Sequence, residues 1–183
     1  MARIFLLKGD INRPGYVDIP EESTTIRQVI YDIGGGIVDG KTFKAVQIGG
    51  PSGGVLSAEQ LDLPLNFQVL KAYGVRRGDS VITVIDADRC VVDACSRIME
   101  YTQTEFCGKC VPCREGTKRM NELLWDLKSY RLDRSDFTML TDLGEKDALG
   151  NYAMCLVAPF YAAPAKVYSS VQRAIVQTPE FFE

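Results

Sequence analysis

The sequence predicts an α+β protein in two parts, and three observations carry the prediction. Short β-rich runs and most of the glycines fall before residue 86, whereas from 87 onward the apolar positions recur at helical spacing. All six cysteines lie in the second part. At 183 residues the chain is long enough to build a core without help from disulfides.

In the first part, Arg3 to Lys8 and Tyr16 to Ile19 read as strands joined across the turn-rich stretch Gly9 to Gly15. Ile26, Val29, Ile30 and Ile33 then share one helical face over Thr25 to Ile33, with Ser23 or Thr24 as N-cap and Gly34-Gly35-Gly36 as the stop. Phe43 to Ile48 alternates as a half-buried strand, Gly49 to Gly54 is a loop, and Val81 to Ile85 is a further strand. The order ββαββ implies a sheet crossed by one helix. Leu61 to Arg77 is ambiguous.

In the second part, Asp86 or Asp88 is positioned to cap a helix carrying Val91, Val92, Cys95, Ile98 and Met99. Glu115 to Tyr130 repeats the pattern with Met120, Leu123, Leu124 and Leu127. A third helix opens at Asp133 or Ser135 and carries Phe137, Leu140 and Leu143; a fourth covers Ala165 to Gln177 and stops before Pro179. The expected domains are therefore 1–86, a sheet with one helix, and 87–183, a small helical bundle.

Composition narrows the chemistry. Apolar residues at 46% and charged ones at 25% describe a globular chain, and a net charge of -3 provides no bulk attraction to nucleic acid or an anionic membrane. No apolar run has the length of a membrane span, and Met1 to Asp10 lacks the pattern of a signal peptide, so a cytoplasmic setting with reduced thiols is expected. There is no histidine, which excludes His-dependent nucleophilic triads, Rieske centres and every imidazole zinc site.

Thiols must then hold any soft metal. Cys107, Cys110 and Cys113 form C-x2-C-x2-C, the way a compact loop ligates three corners of one [4Fe-4S] cube, and Cys155 is a plausible remote fourth ligand. Gly108 permits close backbone approach and Pro112 stiffens the entry to the next helix. Lys109 and Arg114, with the helix N-terminus, would stabilise the anionic cluster and raise its potential. Zinc on the same four thiols is the main competitor, and a thioredoxin-like C-x2-C is disfavoured by the third Cys that follows at once. Cys90 and Cys95 lie about 140° apart around a helix and read as ordinary buried thiols. The glycine runs lack a dinucleotide or P-loop pattern and read as turns that need positive φ or close packing. Asp86 with Asp88, and Glu21 with Glu22, read as caps and solvated surface; no catalytic acid or base stands out.

Taken together, E-x-C-G-K-C-x-P-C-R-x-G over Glu105 to Gly116, Phe106 excepted, resembles the cluster signature of the flavoprotein (NADH-binding) subunit of respiratory complex I. Relatives of that subunit occur in NAD-linked hydrogenases and formate dehydrogenases. Upstream, Arg13-Pro14-Gly15, Thr24 to Arg27 with Val29 to Tyr31, Gly34 to Gly36, Lys41 to Ala45 and Gln47 to Gly54 resemble that family's soluble-ligand-binding β-grasp (SLBB) domain. The chain departs from the family's glycine-containing text at Leu156-Val157-Ala158 and at Gly78-Asp79-Ser80. The resemblance implies the C-terminal part of such a flavoprotein, an SLBB β-grasp domain followed by a helical 4Fe-4S domain with Cys155 as fourth ligand. It also implies that FMN and NAD(H) belong to a partner or to another domain, and that this chain alone does not oxidise NADH. Expected partners are a flavin- and NADH-binding chain and other iron–sulfur subunits, in the cytoplasm or on the cytoplasmic face of a membrane complex, with no nucleic acid and no direct membrane insertion. The alternative is a partner- or ligand-binding scaffold whose metal, zinc or iron–sulfur, is structural.

Overall fold

The computed structural model describes residues 2–50, 53–73, 75, 78–105, 109, 111–129, 131, 136 and 139. The chain divides into two compact units, Met1–Arg89 and Cys90–Glu183.

The first unit is a mixed five-stranded sheet. Its strands are β1 (Ala2–Gly9), β2 (Gly15–Pro20), β3 (Phe43–Ile48), β4 (Gly54–Ser57) and β5 (Val81–Asp86), in the spatial order β2-β1-β5-β3-β4. The central pair, β1 with β5, is parallel, and every other pairing is antiparallel. This is the α+β, β-grasp arrangement, with the first and last strands side by side. Alternation in β1 sends Phe5 and Leu7 inward and leaves Ile4 outside. Ile19, Val46, Ile48, Leu56, Ile82 and Val84 meet them in one core.

Helix α1 (Ile26–Gln28) runs directly into a π-helical turn, Val29–Ile33, and lays Ile26, Val29 and Ile30 on the core. Its cap is Thr25 rather than Ser23 or Thr24. The Thr25 hydroxyl accepts from the Gln28 N–H at 3.2 Å while Gln28 Oε1 accepts from the Thr25 N–H at 2.9 Å, a reciprocal capping box. The glycine triplet ends the turn for two separate reasons. A Cβ at Gly34 would lie 2.1 Å from Ile11 Cδ1, whereas Gly35 and Gly36 adopt φ of 73° and 82°.

Two elements differ from the sequence expectation. The strand β4 follows the glycine loop immediately and pairs with β3 from Ala45↔Ser57 to Ile48↔Gly54; at four residues it is too short to display an alternation. The ambiguous stretch contains α2 (Phe67–Leu70), continued by a 3-10 turn over Lys71–Tyr73, and it anchors Leu61, Leu65, Leu70 and Val75 in the core.

The described part of the second unit is a pair of helices, α3 (Val91–Glu105) and α4 (Val111–Lys128). Asp86 and Asp88 do not cap α3. The Cys90 carbonyl accepts the first intrahelical bond, from the Ala94 N–H at 3.2 Å, while Asp86 Oδ1 instead accepts from the Asp88 and Arg89 N–H groups. Val92, Cys95, Ser96 and Met99 of α3 and Thr117, Met120, Leu123 and Leu124 of α4 are buried at spacings of three and four. The third and fourth helices expected from the sequence lie outside the described residues, Asp136 and Met139 excepted.

Candidate metal centre

The two helices run antiparallel, since Asp93 in the first turn of α3 takes an ion pair from Lys128 at the last residue of α4. Arg97 joins it one turn on, Nε to Asp93 Oδ2 at 3.0 Å. The hydrogen bond from Lys128, reinforced by Arg97, holds the Asp93 carboxyl below the usual carboxylate range. With that end tied, the C-terminus of α3 and the N-terminus of α4 share the opposite end of the pair, on either side of the cysteine motif.

Helix α4 begins at Val111, four residues earlier than the Glu115 that the apolar spacing suggested, with Pro112 in its first turn, where a missing N–H costs nothing. Cys113 lies in that same turn. Free backbone N–H groups and the positive end of the dipole concentrate there, which favours an anionic group. Lys109 is exposed just before the helix. Arg114 is exposed too, and its Nε lies 3.0 Å from Glu115 Oε1, so its positive charge is shared with a neighbouring carboxylate. Gly116 and Thr117 are buried on the inner face one turn later. Cys107, Cys110 and Cys155 lie outside the described residues. Among the described residues, no group of three or more Cys, Asp or Glu is placed to hold a metal ion.

The remaining thiols separate. Cys95 is buried, and desolvation pushes its thiol well above the usual range, so it stays protonated and is a poor metal ligand. Cys90, expected to be buried, is exposed, because the chain reaches the helix only at the next residue. The donor set therefore fits an iron–sulfur cube: soft thiols at C-x2-C-x2-C, no imidazole, and the third thiol on the first turn of an 18-residue helix. The Asp93, Arg97 and Lys128 clamp escaped the sequence reading. Only the i,i+4 spacing of Asp93 and Arg97 signalled part of it.

Comparison with known proteins places this geometry in a class. Residues 93–173, a span that includes all four candidate ligands, match the NADH-ubiquinone oxidoreductase-F iron-sulfur binding region. That match is to an iron–sulfur binding region of NADH dehydrogenase type, whose cofactor is a [4Fe-4S] cluster. The matched segment is thus similar to the iron–sulfur region of the NADH-ubiquinone oxidoreductase-F family, and the chain as a whole resembles part of such proteins.

Among its relatives, the HndC chain of the NADP-reducing hydrogenase of Solidesulfovibrio fructosivorans is 41% identical over 79% of this chain and 29% of its own length. The NADH-quinone oxidoreductase F chain of Streptomyces coelicolor is 32% identical over 92% of this chain and 36% of its own. A crystal structure of an NAD+-reducing [NiFe]-hydrogenase in the H2-reduced state superposes with a TM-score of 0.69 at 25% identity, covering 98% of this chain and 28% of that one. The chain thus spans about a third of the length of the relatives it matches. Among the described residues no helix is long and apolar enough to cross a membrane.

Proposed function

We propose that Cys107, Cys110, Cys113 and Cys155 ligate one [4Fe-4S] cluster through which single electrons pass between a flavin on another chain or domain and further redox centres. The observation that carries this reading is the family match over 93–173, which spans all four thiols, with Cys113 in the first turn of α4. When bound, the cluster supplies reversible one-electron storage. The chain's own residues do the rest. Four thiolates hold it, the N-terminus of α4 and Lys109 offset its negative charge, and Arg114 contributes the part of its charge that Glu115 leaves. FMN and NAD(H) belong on a partner or on another domain, and this chain alone does not oxidise NADH. Its partners are a flavin- and NADH-binding chain and other iron–sulfur subunits of a redox complex, in the cytoplasm or on a membrane complex's cytoplasmic face. Residues 1–86 serve as the SLBB-like domain and 87–183 as the helical cluster domain.

Anaerobic purification with iron, sulfide and zinc analysis, followed by electron paramagnetic resonance after reduction, tests the reading. About four irons and four sulfides per chain are expected, with a signal from the reduced cluster. Cys110→Ser and Cys155→Ser should lose most of that iron, whereas Cys90→Ser should keep it. Stoichiometric zinc with no reducible cluster would turn the assignment to a structural metal on a binding scaffold. Iron lost in Cys90→Ser and kept in Cys155→Ser would show that the fourth ligand is wrongly chosen.

A further inference from the structure

The end of the first unit does not have the chemistry of a loose tether. Connecting segments ordinarily lie on the surface with much of their backbone given to water. Here four successive amide groups are taken up within the first unit. The Asp86 N–H donates to Asp10 Oδ2 at 3.2 Å, and the Ala87 N–H donates to the Thr42 carbonyl at 2.9 Å. The Asp88 and Arg89 N–H groups both donate to Asp86 Oδ1 at 3.1 Å. Two carbonyls of the same stretch are held as well, since Lys44 Nζ donates to Ala87 O at 3.1 Å and to Arg89 O at 2.8 Å.

Charges close the arrangement. Lys41 Nζ lies 3.3 Å from Asp86 Oδ2 and 2.9 Å from Asp88 Oδ2, and Arg89 Nη2 lies 2.8 Å from Asp10 Oδ1. Asp86 is only 4% exposed. A carboxylate that deep is tolerated where several donors converge on it, and hydrogen bonds to a charged acceptor are about twice as strong as neutral ones. Both oxygens of Asp86 are engaged, one by backbone N–H groups and one by an ammonium.

We propose that Asp10, Lys41, Lys44 and Asp86 form a latch that pins residues 86–89 to the first unit, so that the chain leaves that unit from a fixed point. Freeing the stretch requires local opening of the network as a whole, which slows any motion that begins there. The latch is independent of the electron-transfer reading, because its residues all belong to the first unit and its test needs no cluster.

Amide hydrogen exchange on the full 183-residue chain tests it, with limited trypsin digestion after Arg89 as a second readout. In the unaltered protein, amides 86–89 should exchange at least about tenfold more slowly than in an open peptide. Asp86→Ala should abolish that protection, and Lys44→Met, which leaves every backbone acceptor in place, should reduce it several-fold. Both should speed cleavage after Arg89 while the β1 amides stay protected. If Asp86→Ala loosens β1 as well, Lys44→Met decides. Open-peptide exchange at 86–89 in the unaltered protein, or protection there that Lys44→Met leaves unchanged, would overturn the latch.

Discussion

The two units solve the problem of stability by different means. In the first, a five-stranded sheet, α1 and the irregular stretch around α2 converge on one core whose inward residues, Phe5, Leu7, Ile19, Ile30, Leu65 and Ile82 among them, are at or near zero exposure. In the second, the two described helices meet along Val92, Cys95, Met99, Met120, Leu123 and Leu124. That seam includes polar groups: Ser96 is buried, and its Oγ has no hydrogen-bond partner among the described residues. An ion-pair clamp ties one end of this described helix pair, and the cluster proposed at the other would add folding free energy. Strength through burial and strength through specific bonds respond to different perturbations.

Substitutions can break or sharpen that contrast. The largest effect is expected from Leu7→Ala, which empties a fully buried site between sheet and helix and should destabilise the first unit by about 2–5 kcal/mol. Urea unfolding followed by amides of β1 measures it. Leu124→Ala in α4 should fall at the lower end of that range if the seam is the weaker core; an equal loss would erase the distinction between the units.

Ser96→Ala should act in the opposite direction. It removes a desolvated hydroxyl and improves helix propensity, so the helix pair should gain up to about 1 kcal/mol, read as a raised urea midpoint for α3. A loss of stability would mean that the hydroxyl is bonded after all.

The smallest effect belongs to the clamp. The folded-state pKa of Asp93 lies below its unfolded value of about 3.9, so its contribution is complete above that value and fades as the pH falls through the lower, folded value. Asp93→Asn should therefore cost about 0.5 kcal/mol at pH 7, less at high salt, and nothing at a pH below the folded value. Urea midpoints for both proteins, compared at neutral pH and through a descending acid series, measure the difference. A gap that persists unchanged in acid would point to packing and not charge.

Much of this architecture is legible in the residues, and where it is not the reason is physical. Alternation marked β3, short β-rich runs bounded by turn residues marked β1 and β5, and period three to four marked α3 and α4. β4 stayed hidden because four residues behind a glycine loop carry too little pattern. The cap of α1 was decidable. Thr25 has Gln28 three residues on, while Ser23 and Thr24 have Ile26 and Arg27 there, so only Thr25 completes the reciprocal box. Asp86 misled because a carboxylate near a helix start resembles a cap by type, and only the fold reveals that its acceptor faces a turn. The cysteine motif was readable because three of its thiols fall in one short run. The Asp93 to Lys128 pair was not, since its partners meet only once two helices fold against each other.

The parallel pairing of β1 with β5 has a consequence for the order in which the protein is made. Within this unit, the strand synthesised first has its central neighbour supplied by the last one, at Val81–Asp86. Until that segment emerges, β1 has only β2 beside it, and a lone hairpin is marginal in water. Nascent chains halted before residue 81 should therefore remain sensitive to protease, with resistance arriving in a single step as β5 slides between β1 and β3.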